Sequence, residues 1–185
     1  SFEPSLDYVV VKIPRWTFEK FPRADNRLTI QMKSVGEAMA IGRTFPEALG
    51  KAIRSLEIGA DGLDDGRGEL PREELLARLQ EPTAERLFHL RRAFLAGMSV
   101  EEVAAHTRID PWFLDGVRRM VETEEGFAGV RVDGLDRERL RAAKRLGLSD
   151  RALARQMGCG ENALSARRKA LGVVPVYKTI DTCAA

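Results

Sequence analysis

The chain is poor in the residues that usually announce chemistry. Its 185 residues hold two cysteines, two histidines, two tryptophans and two tyrosines, and aromatics make up only 6%. Cys159 and Cys183 are too few for a disulfide framework, which fits a reducing cytosol. His89 and His106 lie 17 positions apart on different predicted helices, a spacing that suits no metal site, so both read as surface or helix-end residues. Neither sign of charge dominates: 30 basic against 28 acidic side chains leave a net charge of +2, which excludes a general attraction to nucleic acid or anionic membrane. No run approaches the roughly 20 apolar residues of a membrane helix, and no secretory signal precedes the first strand. Cys183-Ala-Ala185 lacks the fourth residue of a prenylation box. No glycine-rich loop opens a helix after a strand, and no spacing pairs two catalytic carboxylates. No residue is therefore assigned a catalytic, cofactor-binding or metal-binding role.

What is present divides into two parts. Residues 1–43 read as strands and a loop. Asp7–Ile13 is a short β-branched run expected to stop at Pro14, Arg27–Lys33 alternates in part, and Val35–Gly42 is a second extended segment. Trp16, Phe18 and Phe21 sit in the intervening charged loop, where aromatics pack a loop onto a neighbouring layer, yet no such layer is evident. With no initiator Met and no apolar cover for its strands, this opening is expected to be a piece cut from a longer polypeptide. At Thr44 the signal changes. Thr44-Phe-Pro-Glu47 supplies a cap, a first-turn proline and a capping glutamate, so a helix starts there and presents Ala48, Ala52, Ile53 and Leu56 before stopping near Gly59. Gly59–Gly68 reads as a linker; its Asp-Gly-Leu-Asp-Asp-Gly fails the calcium-loop pattern because Leu63 occupies an oxygen-ligand position.

Helices resume at Pro71 and run almost to Leu171, with expected caps at Thr83, Ser99, Asp110, Asp136 and Ser149. Gly126, Gly129 and Gly134 divide them into two groups, with Val130–Val132 as a short extended link. The groups overlay at an offset of 50: Gly97-Met-Ser99 on Gly147-Leu-Ser149, Val103 on Leu153, Ile109 on Cys159, Leu114 on Leu164 and Arg118 on Arg168. One unit is used twice: a helix ends at glycine, a serine caps a short helix, and a third helix follows a turn. The predicted fold is mainly α, two small helical subdomains with an internal repeat behind a short β segment.

Two functional classes compete. Leu148–Lys169 resembles a DNA-reading helix-turn-helix, with Asn162, Ser165, Arg167, Arg168 and Lys169 near the exposed face of its second helix. The first copy lacks that basic face and carries Asp115 and Glu122 instead, so nucleic-acid binding is the alternative and a connecting, self-associating module the main reading.

Ile13-Pro-Arg15, Phe18-Glu-Lys-Phe21, Gln31-Met-Lys-Ser-Val-Gly-Glu37, Ile41-Gly-Arg-Thr44, Trp112-Phe-Leu114, Pro175-Val-Tyr-Lys178 and Asp181-Thr-Cys-Ala-Ala185 together resemble the large subunits of glutamine-dependent carbamoyl-phosphate synthases. That family joins two homologous ATP-grasp halves through a helical oligomerisation domain. The resemblance implies that residues 1–43 are the tail of the first, carboxyphosphate-forming ATP-grasp half. It makes residues 44–174 the oligomerisation domain, and residues 175–185 a linker toward the second half. It implies a parent enzyme that makes carbamoyl phosphate from bicarbonate, glutamine-derived ammonia and two ATP for arginine and pyrimidine synthesis. Such a parent is cytoplasmic, partnered by a glutamine-hydrolysing small subunit, and assisted by magnesium or manganese and by potassium. The family's ATP and metal motifs lie outside these residues, so this segment is expected to hold no cofactor and to be inactive alone. Thr179-Ile180 and Gly62–Thr83 depart from the family pattern. Self-association would use either the face of Arg86, Leu90 and Phe94 or the helix of Trp112, Leu114 and Val117, and a weak dimer is expected.

Overall fold

The computed structural model describes residues 7–180; Cys183 and the block from Asp181 to Ala185 lie outside the described residues. Strand β1 (Val9–Arg15) pairs antiparallel with β2 (Gly36–Gly42), Val9 opposite Gly42 and Arg15 opposite Gly36. Alternation sends Val11, Ile13, Ala38 and Ala40 to one face, which helix α1 (Phe45–Ser55) covers. Val10, Lys12 and Met39 face outward, where Lys12 Nζ lies 3.0 Å from Glu37 Oε2. Small residues make the close approach: Ala38, Ala40, Ala48 and Ala52 are buried, and a Cβ on Gly42 would sit 2.7 Å from the Ala48 nitrogen.

Two strand expectations are corrected. β1 runs through Pro14 to Arg15, because each strand of a two-stranded sheet has an open edge and tolerates a missing N–H. Arg27–Lys33 forms no strand. Side chains there bond their own backbone instead, Asp25 Oδ1 accepting from Arg27 N–H (3.0 Å) and Thr29 Oγ1 from Gln31 N–H (3.4 Å). Lys33 ties the loop together by donating to Asp25 O (3.1 Å), Asp25 Oδ2 (2.9 Å) and Arg27 O (2.6 Å). The loop has a layer to lie on after all: Leu28 N–H donates to Pro82 O (2.7 Å) and Arg27 bridges Thr83.

The remaining helices are α2 (Arg72–Gln80), α3 (Arg86–Leu95), α4 (Val100–Thr107), α5 (Pro111–Glu125), α6 (Arg137–Arg145), α7 (Asp150–Met157) and α8 (Glu161–Ala170). The sequence repeat is a structural repeat, α3–α4–α5 followed by α6–α7–α8. Gly97 (φ +77) and Gly147 (φ +81) end the first helices in the left-handed region, so that Met98 N–H returns to Ala93 O (3.0 Å) and Leu148 N–H to Ala143 O (3.3 Å). Ser99 Oγ accepts from Glu102 N–H (3.1 Å) and Ser149 Oγ from Ala152 N–H (2.9 Å). Arg108 and Gly158 are both left-handed at the next turn. Val103 and Leu153, and Leu114 and Leu164, fill equivalent core positions with no exposure.

Asp110, Asp136 and Thr44 cap α5, α6 and α1 as expected, through Trp112 N–H (2.8 Å), Arg139 N–H (2.8 Å) and Glu47 N–H (3.4 Å). Thr83 does not cap α3. It is buried against the loop, its carbonyl accepts from Arg86 N–H (3.2 Å), and the helix starts three residues later. Helix α1 ends at Ser55, short of Gly59, because Glu57 turns left-handed (φ +50). The link after α5 is extended at Arg131 and then tightens into a short 3-10 turn at Val132–Gly134, so the expected extended piece stops before Val132. Gly59–Gly68 is no loose linker either: Leu63 is buried within the core, which seats the whole segment against the helices.

Candidate functional site

The residues singled out for chemistry are scattered, and most have structural duties. His89 is buried in mid-helix rather than at a helix end. Arg92 Nη1 approaches its Nδ1 at 3.3 Å; a guanidinium only donates, so Nδ1 accepts and the proton sits on Nε2. Burial and then the Arg92 charge hold the imidazole below its usual pKa, which agrees with a neutral ring. His106 lies half-buried on α4, its Nδ1 3.1 Å from Gln80 Nε2. Cys159 is free and half-buried against the core, matching Ile109 in the first copy. Among the described residues no three of His, Cys, Asp and Glu group as a metal site would require, and no helix is long and apolar enough to cross a membrane.

The aspartates of the failed calcium loop turn inward onto arginines. Arg155 of α7 pairs with three carboxylates at once, Asp61 Oδ2 at 3.2 Å, Asp64 Oδ2 at 3.0 Å and Glu124 Oε1 at 3.2 Å, the last as a hydrogen bond. Arg91 of α3 reaches the same Glu124 oxygen at 3.5 Å and Asp64 at 3.9 Å. Ser149, the α7 cap, also donates to Asp61 Oδ1 (3.3 Å). This hub ties the segment after α1 to both copies of the repeat. Glu124 is only 2% exposed; burial raises its pKa, against the pull of Arg91 and Arg155. Beside it Arg92 donates to Gly68 O (3.0 Å) and Arg67 O (3.3 Å) and pairs with Asp65. Sequence reasoning missed the hub. Its one available signal was Leu63, an apolar residue inside an aspartate-rich turn that needs burying.

The basic face of the helix-turn-helix reading is largely consumed. Arg167 donates to Asp133 O (3.1 Å) and Leu135 O (2.9 Å), and Arg168 Nε to both oxygens of Asp150 (3.1 and 2.9 Å). Asn162 and Lys169 stay exposed and Ser165 is half-buried.

Of the two association faces expected, the first is core: Leu90 is buried and Phe94 packs on the same cluster. On the second, Leu114 and Val117 are buried, but Trp112 is 62% exposed and Phe113 44%. These two rings meet edge to face at 5.0 Å, and Phe45 joins them at 5.7 and 5.1 Å. Phe45 is wedged on Gly116, where a Cβ would stand 2.8 Å from its ring. Further exposed apolar residues gather toward the two ends: Val10, Ile30, Met32 and Met39 at one, Val174, Val176 and Tyr177 at the other. Between β1, its loop, α1 and α3 lies a cleft of about 800 Å³, lined by Ile13, Trp16, Phe18, Ile53, Arg86 and Leu87.

A doubled three-helix unit carrying a two-stranded hairpin defines a small, mainly helical module. Residues 37–172 match the family described as carbamoyl-phosphate synthetase large chain, oligomerisation domain. The chain belongs to that family. It is 53% identical to the carbamoyl phosphate synthase large chain of Xanthomonas campestris pv. campestris, over all of this chain and 18% of that one. Identity is 52% to the large chain of Pseudomonas aeruginosa and 47% to that of Rhodopirellula baltica, each over all of this chain and 18% of the relative. The chain thus spans less than a fifth of the relatives it matches.

Proposed function

We propose that this oligomerisation domain connects the two ATP-grasp halves of a carbamoyl phosphate synthase large chain and contributes to its self-association. On this reading residues 1–43 are the tail of the first half, residues 44–174 the helical domain and residues 175–185 the linker toward the second. The parent is an ATP-dependent, cytoplasmic ligase that forms carbamoyl phosphate from bicarbonate, glutamine-derived ammonia and two ATP, for arginine and pyrimidine synthesis. A glutaminase small subunit supplies the ammonia, and magnesium or manganese with potassium serve ATP sites elsewhere in that chain. The observation that carries the reading is the family match over residues 37–172. The bare apolar residues at both ends support it, since exposed Ile30, Met32, Met39, Val176 and Tyr177 are what a cut through a larger packed protein leaves.

A chimera tests the proposal. Residues 37–172 replace the matching segment of the Pseudomonas aeruginosa large chain, and carbamoyl phosphate formation and assembly are assayed. The expected result is a soluble chimera that assembles and forms product; a soluble, folded chimera that does neither overturns the reading.

A further inference from the structure

One unbroken run of close contacts joins the leading hairpin to the trailing segment. We propose that this run is a rigid strut that fixes, relative to β1 and β2, the point and direction in which the chain leaves the domain at Val173. Its functional meaning, setting how two flanking halves face each other, rests on the connecting role above; its geometry stands on this chain alone.

The strut begins where β2 lies on α1 through alanines. It continues where α1 meets the turn between α6 and α7, and there backbone touches backbone. A Cβ on Gly50 would lie 2.6 Å from Gly147 O, and one on Gly147 would lie 2.7 Å from Pro46 O. No side chain stands between the two elements to slide or change rotamer. Arg54 Nη1 adds a bond to Gly147 O at 2.8 Å. Across the turn, Lys144 Nζ of α6 donates to Leu148 O (2.7 Å) and to Asp150 Oδ1 (3.0 Å). Asp150 in turn holds Arg168 through Nε, and Arg168 Nη1 donates to Val173 O at 2.8 Å. Val173 N–H returns to Arg168 O (3.0 Å), so Val173, the third residue past α8, is held at both its N–H and its carbonyl.

The internal repeat shows that this clamp is no by-product of the unit's fold. At the offset of 50, Phe94 stands where the second copy has Lys144, and Val100 where it has Asp150. Arg118, the counterpart of Arg168, turns to Asp115 and Glu122 on its own helix, both at 2.6 Å. The ionic clamp exists only in the copy from which the trailing segment leaves. It is largely withdrawn from water as well, with Asp150 and Arg168 side chains 12% and 13% exposed, and such charge-assisted bonds hold geometry tightly.

The test is a distance distribution measured by double electron–electron resonance on the 185-residue chain, in a Cys159→Ser/Cys183→Ser background. Nitroxides replace Met39 on β2 and Val174 past α8, both exposed; a control pair joins Met39 to Glu138 on α6. The parent chain is expected to give one narrow distribution for each pair. Asp150→Asn, which keeps the side chain's shape, and Arg168→Met are each expected to widen the Met39–Val174 distribution by about twofold or more while the control keeps its width. A broad Met39–Val174 distribution in the parent chain overturns the proposal, and so does an unchanged width in Asp150→Asn. A chain that proves monomeric yet gives the narrow distribution would count against the association reading and leave the strut standing.

Discussion

Gly97 and Gly147 offer a comparison in which the protein supplies its own control. Both end the first helix of a repeat copy, with φ of +77 and +81, and alanine at either must accept a left-handed backbone, at about 1–2 kcal/mol. Their surroundings differ in one respect. A Cβ on Gly97 meets nothing within 4 Å, whereas one on Gly147 would lie 2.7 Å from Pro46 O, 3.1 Å from Glu47 Cα and 3.3 Å from Glu47 O. Those are backbone atoms of α1, so relief requires the helix itself to lift. Overpacking of this kind adds about 1–3 kcal/mol. Gly97→Ala should therefore cost about 1–2 kcal/mol and Gly147→Ala about 2–5 kcal/mol. Urea unfolding at constant m value reads both. Equal costs would refute the seating of α1 on the second copy.

Other perturbations act on the charged hub. Arg155→Met leaves Asp61, Asp64 and Glu124 without their shared cation, with Arg91 no nearer than 3.5 Å to Glu124 and Arg151 at 3.9 Å from Asp61. Removing one partner of a fully buried pair costs about 3–5 kcal/mol; Arg155 is partly solvated, so about 2–3 kcal/mol, or a Tm drop of about 5–10 °C, is expected. A Tm within about 1 °C of the parent's would show the hub to be ornamental. Glu124 sets a pH dependence of definite sign. Burial raises its native pKa, so the folded state holds its proton more tightly than the unfolded one and the Glu124 contribution falls as pH rises from about 4.3 through the raised value. Glu124→Gln should remove that slope from a Tm series between about pH 4 and 8; parallel curves for parent and variant would contradict the assignment.

The helical part was legible because its signals are local. Ser99, Ser149, Asp110 and Asp136 announce helix starts and Gly97 and Gly147 announce stops, and the offset of 50 shared by the two serines and the two glycines exposes the repeat. Where the sequence misled, a distant partner had overruled local preference. Thr83 has the chemistry of a cap but is taken by the loop at Arg27; His89 would suit a helix end but is buried beside Arg92. The aspartates at 61, 64 and 65 read as a solvated turn because their arginines lie 27 to 94 positions away, at Arg91, Arg92 and Arg155, beyond any spacing rule. The exposed Trp112 was found on the right helix, though Leu114 and Val117 beside it proved to be core.

The exposed parts of Trp112 and Phe113 amount to roughly 250 Å² per chain, taking 150–250 Å² for a whole aromatic side chain. That is well short of the roughly 800 Å² per partner of a stable interface, so association through this edge should be weak. Sedimentation equilibrium of the 185-residue chain over rising concentration measures it directly. The account predicts a mass that climbs from 20.6 kDa toward twice that value, with Trp112→Ser shifting the climb to higher concentration and leaving the Tm nearly unchanged. A mass that stays at 20.6 kDa up to about 1 mM, where even weak dimers form, would contradict self-association through this domain.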